Sequence, residues 1–356
     1  MLISILAAMT AAGLAAAGAK EPQGMDEVAR SYVKVVLALG VHDPDYVDAY
    51  YGPPEWRTAA QAEKRPLPAI QAEARRLLAR LQGLRPAGKA DDPAVLRHEY
   101  LTRQLQALST RVDMLSGKKL SFDEESRALY NAVAPALPDE HFKQVHARLE
   151  TLLPGSGSLA ERYEAYRKGF VIAPEKLAAV FDAAIAECRR RTLPHVDLPA
   201  GETFTVEYVT GKSWSAYNWY QGGFRSVIQV NQDLPITIDR AVDLACHEGY
   251  PGHHVYNVLL EQALVRGRGW TEFAVYPLFS PQSFIAEGTA NFGIDMAFPP
   301  AERLALERDS LFPLAGLDTA LAAPNAEVRA TVTRLNYARN EVARRYLDGE
   351  LDAAQA

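Results

Sequence analysis

The stretch His247-Glu248-Gly249-Tyr250-Pro251-Gly252-His253-His254 gathers three imidazoles and a carboxylate within eight residues. It reads as an opened form of the helical pattern H-E-x-x-H. There, two histidines one turn apart bind zinc and the glutamate between them acts as general base. Here the fifth position is Pro251, and a histidine follows only after an inserted Pro-Gly. On an ideal helix His253 would lie about 240° around from His247, out of register for a shared metal. Pro251 has no backbone N–H and its ring clashes with the preceding turn. Gly252 opens backbone angles closed to other residues. A two-residue bulge at Pro-Gly would therefore return His253 to the place of an i+4 ligand. His254 is nearly in phase with His247 but about 10.5 Å along the axis, and stands as the alternative ligand.

A catalytic zinc needs a third protein ligand and one open position. Glu287, within Phe284-Ile285-Ala286-Glu287-Gly288, is the best candidate, because its approach is apolar and Gly288 leaves room beside it. Asn291, one turn on, and Asp243, one turn before His247, are placed to hydrogen-bond ligands and orient them. Glu248 is then the base that takes a proton from attacking water. A donor for the developing oxyanion is also required; Tyr337, Tyr346, Arg339 and Tyr250 are candidates, and the spacing does not choose among them. An exopeptidase would further need a charged group to hold a chain terminus, and Arg225, Arg240 and Arg339 are available. One zinc per chain is expected, although the ligand types also suit other divalent ions.

Helices and a small sheet must position these groups. Apolar residues recur at helical spacing in Val28, Tyr32, Val35, Val36 and Leu39, and again in Leu101, Leu105, Leu108 and Val112. Breaks fall at Gly52-Pro53-Pro54, Pro135 to Pro138 and Pro154-Gly155-Ser156-Gly157. The reading is a helical half over 25–191 followed by a catalytic region over 192–356, in one continuous fold. Alternation in Phe204 to Val209 and Ser226 to Asn231 predicts a small antiparallel sheet beside the motif helix. The second run is expected as an edge that an extended peptide can extend. Thr237 is expected to open the motif helix. Further helices are expected from about His253 to Leu264, from near Ser283, and from about Glu327 to Gly349.

The formal net charge of −6, with no basic run interleaved with aromatics, argues against nucleic-acid binding. Leu2 to Ala19 is almost wholly small or apolar and ends Ala17-Gly18-Ala19, which predicts a signal peptide over 1–19 and an exported, periplasmic protein. No other run is long enough to span a membrane. Two cysteines, Cys188 and Cys246, lie far apart; a buried thiol is the expectation for Cys246 beside His247, with Cys188 on a charged helix end and a single disulfide as the alternative.

His247-Glu248-Gly249-Tyr250-Pro251-Gly252-His253-His254 resembles the H-E-x-x-P-G-H-H signature of the DUF885 family, bacterial proteins of the zincin (gluzincin-like) metallopeptidase group. Phe284-Ile285-Ala286-Glu287-Gly288 is similar to the family's downstream E-G element, and Asp43 to Pro53 is similar to sequences of that group. The similarity is close from about Asn231 to Asp295 and loose elsewhere. Thr289 departs from the large aromatic usual after E-G, and more sequence is expected beyond Gly349. The resemblance implies a mainly α, zincin-like fold with a long cleft, and a single zinc on His247, His253 and Glu287. With Glu248 as the catalytic carboxylate, it implies a peptidase acting on peptides. A zinc amidase acting on other or cell-wall amides, and a metal-stabilised binding protein without turnover, are the alternatives.

Overall fold

The structure is a computed structural model that describes residues 24–356; the expected signal peptide lies outside the described residues. The first half is α1 (Met25–Leu39), a short strand β1 (Val47–Tyr50), then α2 (Pro54–Glu63), α3 (Leu67–Gln82), α4 (Pro93–Leu115), α5 (Phe122–Tyr130), α6 (Asp139–Leu152), α7 (Leu159–Lys168) and α8 (Pro174–Thr192). Strands β2 (Thr203–Val209), β3 (Ala216–Gly222) and β4 (Arg225–Asn231) follow. Then come α9 (Ile238–Leu244), a π-helical turn (Ala245–Gly249), α10 (His253–Leu260), a second π turn (Glu261–Arg266), β5 (Val275–Pro277) and α11 (Pro281–Ala297). The chain closes with α12 (Pro300–Leu306), α13 (Phe312–Ala315), α14 (Ala322–Thr333) and α15 (Asn336–Leu347). The fold is mainly α with small sheets, as expected. Among the described residues no helix is long and apolar enough to cross a membrane.

Local chemistry explains the helix starts. Proline occupies the first turn of α2, α3, α4, α8, α11 and α12, where its missing N–H costs nothing. Capping boxes, Ser121 with Glu124 and Ser158 with Glu161, open α5 and α7. Thr237 stands at the N-cap of α9 as expected, but its side chain makes no capping hydrogen bond.

The sheets differ from the expectation in two ways. The larger one is mixed: β3 and β4 are antiparallel, but β2 runs parallel to β4, in the order β2-β4-β3. The reason is the pair Gly222-Gly223. Both residues have positive φ and close a tight hairpin between β3 and β4, so the aromatic stretch before them is a strand. Thus β4, read as an edge, is central, and β2 and β3 are the edges. A second sheet pairs β1 antiparallel with β5 and joins the two halves. Buried Arg97 on α4 reinforces that junction, reaching Glu272 at 2.6 Å and stacking over the Trp270 ring.

One apolar core lies among α1, α3 and α4, including Val28, Tyr32, Leu77 and Leu105. Another packs α8 and β4 around α9, including Phe181, Ile228, Val242 and Phe312. In that second core Cys188 of α8 and Cys246 of the π turn form a disulfide, both fully buried. The expectation of a buried thiol is corrected: α8 runs directly beneath the turn and brings the two Cα atoms to 5.8 Å, within bonding reach. Replacing both cysteines by alanine should lower the unfolding free energy by about 2–4 kcal/mol, read from denaturant titrations of the oxidised wild type and the double variant. An unchanged midpoint would show that the bridge contributes nothing.

Candidate metal centre

The motif leaves α9 through the π turn, whose ring is wider than an α turn. Tyr250 is extended, and α10 begins at His253. The bulge expected at Pro-Gly is therefore two features: a widened turn before the proline and a helix restart after Gly252. Gly252 donates its N–H to the Cys246 carbonyl at 2.9 Å. A Cβ at this position would overlap the carbonyl oxygens of Cys246 and His247. Only glycine permits this backbone approach, which folds α10 back against the π turn. The rings of His247 and His253 then stand perpendicular, with centroids 4.6 Å apart.

The third side chain arrives on α11. A Cβ at Gly293 would sit 2.9 Å from the Pro251 ring, so glycine lets α11 lie against the motif loop. Glu287 consequently bridges the pair: Oε2 is 3.3 Å from His247 Nε2 and Oε1 is 3.3 Å from His253 Nε2. One ligand atom from each of the three residues lies within 4.8 Å of the others. Zinc bonds of about 2.0–2.2 Å at tetrahedral angles place ligand atoms roughly 3.3–3.6 Å apart. Both histidine-to-Glu287 separations fall in that range, each to a different carboxylate oxygen, and the donor set is of the kind such an ion takes, with Glu287 exposed on the cleft side.

The remaining candidates separate clearly. His254 is fully buried and turned away: its Nδ1 lies 2.9 Å from Ser226 Oγ and its Nε2 2.9 Å from Glu202 Oε2. The Tyr250 hydroxyl donates to the same Glu202 at 2.7 Å. These two residues anchor the loop and are not aimed at the three-residue cluster. The Asp243 carboxylate is taken by Arg303 at 2.7 Å, and among the described residues it makes no hydrogen bond to His247. Asn291 donates to the backbone carbonyl of Glu287 at 2.9 Å, not to its carboxylate. Tyr337 and Tyr346 are exposed on α15 and do not line the cleft, whereas Arg339 and Arg240 do.

The cleft has a volume of about 1530 Å³ and contains His247, Glu248, His253 and Glu287 in its wall. Among the lining residues that escaped the sequence reading of the site, three bear on its chemistry. Asn218 of β3 donates to the Glu248 backbone carbonyl at 2.7 Å and fixes Glu248 to an edge strand. Tyr276 of β5 and Asp48 of β1 line the same wall. No local spacing links residues 48 or 276 to the motif. Only the similarity of Asp43 to Pro53 to a family segment marked the first of them.

The electrostatics follow from burial. Burial raises the Glu248 carboxyl above its ordinary value, against the pull of His253 and His247. Burial would also raise Glu287, but hydrogen bonds from His247 and His253 outweigh it and hold the group well below the usual range. Burial would lower His253, but Glu287, Glu248 and Asp48 together raise it. Burial pushes Asp48 up to about 7.

Two outcomes follow. Gly252→Ala should weaken zinc binding by roughly tenfold or more and lower the melting temperature, as measured by metal titration and calorimetry; unchanged zinc affinity would separate the backbone approach from the cluster. In the metal-free protein, the contribution of depressed Glu287 is present above roughly pH 4.3 and lost as pH falls further. That of raised His253 is present below roughly pH 6.5 and lost as pH rises through its folded value. The stability difference between wild type and Glu287→Gln should therefore peak between those limits, and a difference flat from pH 4 to 8 would contradict it.

Compared with known proteins, the chain matches no family model, no curated protein and no solved structure.

Proposed function

We propose that this protein is a zinc-dependent peptidase related to the DUF885 group, exported to an oxidising compartment such as the periplasm. The observation that carries the reading is the convergence of His247, His253 and Glu287 within 4.8 Å, with buried Glu248 in the same cleft wall. The disulfide supports the compartment, since such bonds persist where thiols are not kept reduced.

His247, His253 and Glu287 would hold the ion. When bound, it supplies Lewis acidity, bringing the pKa of water to about 7 and polarising a carbonyl. Glu248 accepts the proton as water attacks the scissile carbonyl, then delivers it to the departing amine. Its raised affinity for a proton suits both halves of that cycle, and Asn218 holds its backbone still. Tyr276, a phenol lining the cleft near Glu287 and Asp48, is the donor assigned to the oxyanion.

A peptide substrate is favoured by β3. It is an outer strand of its sheet, and Ala216, Tyr217 and Asn218 line the cleft. An extended peptide can hydrogen-bond along such an edge.

The test is metal content and cleavage of a mixed peptide library, read by mass spectrometry, on wild type and Glu248→Gln. One zinc per chain in both is expected, with cleavage at least about a hundredfold slower in the variant. Zinc without cleavage in either protein would turn the reading toward a binding protein. Cleavage of cell-wall or side-chain amides alone would turn it toward an amidase. Absence of bound metal would overturn it.

A further inference from the structure

Asp48 is a half-buried acid with no use in the chemistry so far. It is the extra residue of a bulge in β1: Val47 pairs with Pro277 and Ala49 with Tyr276, so Asp48 has no partner on β5. Bulges re-aim side chains next to active sites, and this one puts Asp48 in the cleft wall. Its Oδ1 is inaccessible to solvent and accepts no hydrogen bond. Among the described residues, no lysine or arginine forms an ion pair with it. The charged groups acting on it are His253, Glu287 and Glu248, the members of the metal-type cluster and its base. Leaving a shielded carboxylate oxygen without a hydrogen bond is costly. Asp48, Glu248 and Glu287 place three carboxyl groups in one wall, and among the described residues no lysine or arginine salt bridge reaches them.

We infer that Asp48 binds the free α-ammonium group of a peptide substrate, which makes the protein an aminopeptidase; this rests on the peptidase reading above. The nitrogen of an N-terminal residue lies only about 2.5 Å from that residue's own carbonyl carbon. An acid that holds it must therefore stand in the wall that carries the cluster, and Asp48 lines that wall with His247, His253 and Glu287. The cations offered for the opposite terminus are less suited. Arg240 is already engaged by Asp243 at 3.8 Å and Ser215 at 3.4 Å. Arg225 does not line the cleft, and Arg339, which does, sits on the exposed helix α15. With the ammonium on Asp48, water adds to the first carbonyl carbon and the first peptide C–N bond breaks. The departing nitrogen takes a proton. The products are one free amino acid and a peptide shorter by one.

The experiment compares one tetrapeptide with a free and with an acetylated N-terminus. Cleavage is followed in zinc-loaded wild type and Asp48→Asn, and binding by calorimetry in Glu248→Gln, which is expected to hold substrate without turning it over. The free form should bind about thirtyfold or more tightly than the acetylated form and lose only its first residue, and Asp48→Asn should erase most of that preference. Equal binding of the two forms, equal loss of both in Asp48→Asn, or a second zinc that disappears in Asp48→Asn would each overturn the inference. Should Asp48→Asn not fold, the two peptides on Glu248→Gln decide alone. No cleavage of either peptide, with the binding preference intact, would overturn the peptidase reading and keep the ammonium site.

Discussion

The contact between the backbone of Gly252 and the carbonyls of Cys246 and His247 governs the architecture of the site. It sets the angle at which α10 leaves the π turn, and so turns a six-residue spacing into a pair of facing imidazoles. Other contacts brace the same loop. Tyr250 and His254 converge on Glu202, which Arg189 of α8 also holds. The disulfide fixes the π turn to α8 from below, and Gly293 allows α11 to close against Pro251 from the other side. The fold spends one glycine on each close approach, and both approaches are backbone constraints.

Much of this was legible in the sequence wherever the signal was local. Helical periodicity marked the first half, and alternation marked β2 and β4. The His247-to-His254 stretch and Glu287 marked the side chains that converge. What was hidden depended on partners far away in the chain. β1 and β5 are three or four residues long and carry no period that separates them from loops. The parallel pairing of β2 with β4 depends on a crossover that composition does not encode. Asp243 stands one turn before His247, as an orienting acid would, yet Arg303 on α12 competes for it more closely. His254 has the phase of a ligand, but its environment, Ser226 and Glu202, comes from the sheet region. Cys188 and Cys246 were ambiguous for the same reason, since only the packing of α8 under the turn decides between thiol and disulfide.

Charge placement follows a consistent logic. Cations in the cleft wall are largely neutralised: Arg303 by Asp243 and Glu307, and Arg167 by Glu164. The acids near the histidine pair are not neutralised by any lysine or arginine salt bridge among the described residues. A negative pocket with imidazoles at its base suits a metal first and a cationic group second. The same pocket disfavours a carboxylate approaching that end, so one wall both attracts and rejects by sign alone.

The pairing of β1 with β5, and of Glu287 with the two histidines, has a consequence for how the molecule comes to exist. A ribosome delivers β1 early, His247 to His253 much later, and α11 last of the three. During synthesis the two imidazoles therefore emerge without their carboxylate, and the edge of β1 waits for a partner near the far end of the chain. A three-residue cluster divided in this way cannot assemble on a nascent fragment. The order of the segments thus fixes when the cluster can form: only after α11 has been made.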